Sequence, residues 1–116
     1  MSRDTRPISW IKAALKAFEK FPDKVRGDVE AALTIAAEGG KADTAKPMKG
    51  LGSGVMEIAL KHETNAYRAI YVIEIAGSLW VIHAFQKKSK TGVKTPKQDV
   101  DLIRDRLKRL KKELSS

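Results

Sequence analysis

The spacing of apolar residues changes period twice along this chain, and no other feature constrains the fold as strongly. Ile11, Ala14, Leu15, Phe18 and Phe21 recur at helical spacing, and Val25, Val29, Leu33 and Ala36 do so again. From Met56 the period is two, with Met56, Ile58 and Leu60 alternating with Glu57, Ala59 and Lys61, as in a half-buried strand. Ala66 to Ile75 is rich in β-branched and aromatic residues, and Leu79 to Phe85 is apolar on both faces, as a central strand requires. Helical spacing then returns at Val100, Ile103, Leu107, Leu110 and Leu114. The other faces of that last stripe carry Arg104, Arg106, Lys108, Arg109, Lys111 and Lys112.

Turn and cap residues fall between these segments. Arg6 to Ile11 reads as a short first strand running into the first helix. Pro22 ends that helix and suits the first turn of the next, which Gly39-Gly40 stops. Residues 41–54 read as a glycine-bearing loop, His62-Glu63-Thr64-Asn65 as a turn and Gly77-Ser78 as a hairpin. Thr95-Pro96-Lys97-Gln98 combines an N-cap threonine, a first-turn proline and a capping-box glutamine. The expected fold is α+β in the order β-α-α-β-β-β-α. A helical hairpin packs on a small antiparallel sheet, a helix closes the chain, and residues 1–116 form a single domain.

Charge separates scaffold from working surface. The chain of 116 residues has a formal net charge of +9, yet residues 1–40 hold seven basic and six acidic side chains while residues 41–116 hold sixteen and eight. The densest run is His83 to Gln98, where Lys87, Lys88, Lys90, Lys94 and Lys97 follow the apolar strand with no acidic residue before Asp99. Such a surface attracts phosphate. With no cysteine, a disulfide framework, a thiolate zinc site and a cysteine nucleophile are excluded, and two histidines are too few for most metal sites. No apolar run approaches the ~20 residues that span a bilayer, and the N-terminus has no apolar signal core. A cytoplasmic protein with no bound metal or cofactor and no membrane contact is the simplest expectation.

Three segments, in order, carry a resemblance: PMKGLGSGVMEI at 47–58, AYRAIYV at 66–72 and IHAFQKKSKTGVKTPKQDVDLIRDRL at 82–107. The Pro-x-Lys-Gly loop, the Tyr-Arg-x-x-Tyr strand and the Phe-Gln-Lys-Lys segment before a Thr-Pro helix start resemble the phage-related, HigB-like branch of the RelE superfamily of toxin–antitoxin toxins. That resemblance implies a RelE-like fold and a metal-independent endoribonuclease that cleaves mRNA, typically on the translating ribosome. It also implies silencing by a cognate helix-turn-helix antitoxin.

The residues can be matched to the chemistry. Cleavage by the 2′-OH needs a base for the hydroxyl proton, cations for the developing phosphate charge and an acid for the leaving oxygen. Arg68, at the arginine of the Tyr-Arg motif, is the expected phosphate clamp, because its planar fork donates two hydrogen bonds to phosphate oxygens. An outward strand arginine of this kind carries little folding energy. Lys87 and Lys88 lie where the central strand leaves the core and are candidates for acid–base work. Adjacent strand residues point to opposite faces, so one of the two meets the substrate, and the sequence does not say which. Glu57, in the outward phase of its strand, accepts a proton, orients Arg68 or forms an ordinary cross-strand ion pair.

Lys49, Lys90 and Lys94 are the expected RNA-binding lysines. Phe85 is the aromatic best placed to stack on an unpaired base, while Trp10, Trp80 and Tyr71 are assigned to the core. His83 reads more readily as a hydrogen-bonded core histidine than as a catalytic one. Two other classes compete with the nuclease: a non-catalytic inhibitor of a protein target such as gyrase, and a plain basic nucleic-acid-binding module. The set Arg68, Lys87, Lys88 and Glu57 favours the nuclease over the gyrase inhibitor, and a helix-turn-helix gene beside this one would favour either toxin reading over the binding module.

Overall fold

The computed structural model describes residues 5–88 and 95–115 and, of Lys88, the backbone. The chain opens with a three-residue strand, β1 (Ile8–Trp10), and two helices, α1 (Lys12–Phe18) and α2 (Asp23–Ala37). Pro22 is the N-cap of α2, one residue earlier than the expected first-turn position, and Asp23 places its carboxylate near the positive end of the helix dipole. At the other end Gly39, at φ +98°, reverses the chain. The Gly40 and Gly39 amides donate to the Ile35 and Ala36 carbonyls at 2.9 and 3.0 Å, which satisfies two of the carbonyls a helix end leaves open.

The region expected as a loop contains a further strand, β2 (Ala45–Pro47), paired antiparallel with β3 (Val55–His62). Pro47 lies on the sheet edge, where a missing amide hydrogen removes no ladder bond. β3 turns at Glu63, φ 59°, into β4 (Asn65–Ile75), which turns at Ala76-Gly77, φ 52° and 87°, into β5 (Ser78–Lys88). The second turn comes one residue earlier than expected, and two successive positive φ angles match the right-handed twist of a hairpin.

The sheet order is β1-β5-β4-β3-β2. β1 runs parallel to β5, with Ile8 opposite Leu79 and Trp10 opposite Val81, so the sheet is mixed rather than wholly antiparallel. β1 reaches β5 only after both helices and the β3–β4 hairpin, so no tight turn dictates an antiparallel pairing. The chain then ends in α3 (Lys97–Leu114).

Helices cover both faces of the sheet. On one face Ala14, Phe18, Phe21, Val25, Val29 and Leu33 of the helical hairpin pack with Met56, Ile58, Tyr67, Ala69, Tyr71, Leu79 and Val81. On the other, Ile103, Leu107 and Leu110 of α3 pack with Val55, Ile70, Val72 and Ile82. Because of this double cover, Ala66 to Val72 is buried without interruption. Tyr71 is a core residue as expected, while Trp10 and Trp80 are half-buried.

Candidate active site

Register decides which strand residues share a face. Ala59 lies opposite Arg68 on β3–β4, and Arg68 opposite Phe85, Ala66 opposite Lys87 and Ile70 opposite His83 on β4–β5. Directly opposed residues project to the same side of a sheet. Arg68, Phe85 and Lys87 therefore belong to the α3 face, together with Glu57, whose cross-strand partner is Ile70. This settles the backbone phase of Lys87. Lys88 pairs with Asn65 at the next step of the ladder, and its side chain lies outside the described residues. Lys90 and Lys94 also lie outside them.

Glu57 and Arg68 are not surface residues. Their side chains are 7% and 8% exposed, and Arg68 Nη1 donates to Glu57 Oε2 at 2.7 Å. The outward phase of β3 leads to the second buried face, beneath the start of α3, instead of to solvent. The expectation that Arg68 is an exposed clamp whose loss spares the fold is therefore overturned. A buried charge pair broken from one side leaves an uncompensated ion, at a cost of about 3–5 kcal/mol.

A third residue completes this cluster. Thr95 Oγ1 donates to the same Glu57 oxygen at 2.6 Å. The sequence pattern makes Thr95 an N-cap, but the N-cap of α3 is Pro96 and no side chain caps the helix. Proline lacks an amide hydrogen, which lessens the need for a capping oxygen, and the threonine hydroxyl is used across the fold. Beside the cluster runs a groove of about 470 Å³, lined among the described residues by Lys46, Pro47, Met48, Lys49, Glu57, Thr95 and Val100. Of these residues Lys46 and Lys49 are exposed, and Glu57 is acidic. Lys49, the RNA-binding candidate of the loop, lines this groove.

A second polar cluster lies further along the same face. His83 Nε2 lies 2.8 Å from Asp99 Oδ1, and its Nδ1 lies 3.2 Å from Arg106 Nη1. A guanidinium only donates, so Nδ1 accepts and the proton sits on Nε2, donated to the carboxylate. The imidazole is thereby held neutral. Burial pushes its pKa below the ordinary value of 6.5, the Asp99 hydrogen bond and charge oppose that shift, and the Arg106 charge adds to it. Arg106 Nη1 also donates to the Ile82 carbonyl at 2.9 Å, and burial lowers its own pKa.

These bonds fasten α3 to β5 and make His83 the buried, hydrogen-bonded residue the sequence favours. Phe85 is half-buried, with its ring stacked on the His83 imidazole at a centroid distance of 5.0 Å. Sequence reasoning passed over Thr95, Asp99 and Arg106 because each has a local explanation: a cap, a dipole partner and a basic surface. One sign was available for Arg106. It falls between Ile103 and Leu110 on the apolar stripe, where an outward side chain is out of phase.

Among the described residues, no group of three or more His, Cys, Asp or Glu side chains could hold a metal ion, and no helix is long and apolar enough to cross a membrane. No curated protein matches the chain in sequence. Among solved structures, the chain is similar to a doubly substituted mutant of the E. coli toxin RelE in the free state. That match has 17% identity, covers 91% of this chain and 98% of that chain, and has a TM-score of 0.63. It is also similar to the isolated E. coli RelE toxin, at 18% identity over 90% of this chain and 98% of that one, with a TM-score of 0.57. Likeness at this identity concerns the fold, which is RelE-like. A family model described as phage-derived protein Gp49-like (DUF891) matches residues 16–108. The chain therefore belongs to the phage-derived Gp49-like family and folds as the RelE toxins do.

Proposed function

We propose that this chain is the toxin of a toxin–antitoxin module, an endoribonuclease of the HigB-like branch that cleaves mRNA on the ribosome and so inhibits translation in the cytoplasm. The observation that carries this reading is a buried carboxylate, Glu57, held by Arg68 and Thr95 against a lysine-rimmed groove. The division of labour differs from the one the sequence suggests. Glu57 takes the 2′-OH proton, and Arg68, already bound to it, keeps it charged and oriented. Lys46 and Lys49 at the groove rim receive the phosphate. Lys87, on the face of Arg68 and Phe85, is the candidate acid for the leaving 5′-oxygen. This chemistry runs through protein side chains and requires no metal or cofactor.

The cognate antitoxin, with its helix-turn-helix domain, would silence the site by laying an acidic segment over these lysines, since opposite potentials speed encounter and fix orientation. Primer extension on total mRNA after induced expression tests the nuclease. New 5′ ends within messages are expected for the parent chain and far fewer for Glu57→Gln. Growth arrest with intact messages and altered DNA supercoiling would replace this reading with that of a gyrase inhibitor.

A further inference from the structure

We infer that Thr95 is a positioning residue of this site, pinning one oxygen of Glu57 so that the other is presented to the groove. This rests on the reading of Glu57 as the proton acceptor. A carboxylate offers two oxygens with about four lone-pair directions. Both donors that reach Glu57 among the described residues, Arg68 Nη1 at 2.7 Å and Thr95 Oγ1 at 2.6 Å, arrive on Oε2. Among the described residues no donor reaches Oε1, and Glu57 and Thr95 both line the groove.

The two donors come from different parts of the chain. Arg68 is on β4, across the sheet ladder from Glu57's own strand. Thr95 is 38 residues beyond Glu57 in sequence and immediately precedes the Pro96 cap of α3. With Arg68 alone, the carboxylate can swing about its last torsion. With the hydroxyl added, its plane is fixed from two directions. The hydroxyl can be placed only when α3 is docked, and that docking is held by Asp99 on His83 and Arg106 on the Ile82 carbonyl. Seating of the helix and readiness of the base are therefore the same event.

The test is a double-mutant cycle on the purified full chain, read as single-turnover cleavage of a defined mRNA on programmed ribosomes at saturating substrate. Thr95→Val is expected to slow cleavage by roughly 30–100-fold, the scale at which a reacting group displaced by ~1 Å loses rate. Substrate affinity should stay within about twofold, because the lysines that bind phosphate are untouched. Thr95→Ser, which restores the hydroxyl, should recover the rate to within about threefold of the parent. In a Glu57→Gln background Thr95→Val should add less than about a twofold loss, since residues acting through one another are non-additive. Melting curves accompany each variant, and Thr95→Ala repeats the cycle if the valine unfolds the chain.

Parental rates in Thr95→Val beside a strongly slowed Glu57→Gln would overturn the role of Thr95 and leave the nuclease standing. Additive losses, or failure of serine to rescue, would reduce Thr95 to a structural contact and overturn it equally. A parent that does not cleave, or a Glu57→Gln variant that cleaves normally, would remove the proposed function and this inference with it.

Discussion

The two faces of the sheet are built from different chemistry. Beneath the helical hairpin the buried face is apolar: Phe18, Phe21, Leu33, Ile58, Ala69, Leu79 and Val81 meet there, and the buried ionisable side chains among the described residues, Glu57, Arg68 and His83, lie on the other face. Beneath α3 the face is apolar only along the stripe of Ile103, Leu107 and Leu110. Around that stripe it buries two polar clusters, Glu57–Arg68–Thr95 and His83–Asp99–Arg106. The apolar face gains stability from burial of its area alone. The α3 face gives up part of that gain to hold charged groups in set orientations, and buried ion pairs are weak sources of net stability. This contrast is the basis on which the α3 face is proposed as the working side and the hairpin face as scaffold.

The sharpest way to break the comparison is to remove one member of the buried pair. Arg68→Ala should destabilise the chain by about 3–5 kcal/mol in urea titration, because Glu57 is left charged and buried. Replacing both, as Glu57→Leu with Arg68→Met, should return stability to the parental level or exceed it by about 1–4 kcal/mol while abolishing cleavage. If the double variant is as unstable as Arg68→Ala, the pair is part of the framework after all. On the opposite face Leu33→Ala should cost about 2–5 kcal/mol by leaving a cavity, yet leave the rate constant of the remaining folded protein unchanged. A selective loss of cleavage there would mean that the hairpin face is not merely scaffold.

A smaller effect should appear with pH. The folded state holds His83 below its ordinary value of 6.5, so the unfolded chain binds more protons as acidity rises. Stability should therefore fall as the pH drops through about 6.5, and the loss should level off below the folded-state value. Melting temperatures measured between about pH 7 and about pH 5.5 should show this decline in the parent and a flatter profile in His83→Gln. Equal slopes would show that the Asp99 contact cancels the effect of burial and that this cluster does not set the acid sensitivity of the α3 face.

The helices, the three long strands and their order could be read from periodicity because those signals are local. Spacing of three and four marks a helix face whatever it packs against, and alternation marks a strand. The two short edge strands carried weaker signals. Three residues at Ala45–Pro47 are too few for a pattern, and the parallel placement of β1 depends on a partner about seventy residues away. The candidate site was legible as a set of residue types, Glu57, Arg68, Lys87, Lys88 and Lys49, but the sharing of one face by Glu57, Arg68 and Lys87 and the groove beside Lys49 came from the structure.

By itself the sequence determined which of the longer segments are helix and strand, where the positive charge concentrates and which side chains have suitable chemistry. Only the tertiary structure decided that α3 lies over the outward phase of β3. Alternation states that Glu57 and Ile58 point to opposite faces, and it is silent on whether one of those faces meets water or another helix. Packing of Ile103, Leu107 and Leu110 onto Ile70 and Val72 settled that question, since burying that stripe brings Thr95 over Glu57. An alternating strand glutamate thereby became a buried, oriented carboxylate.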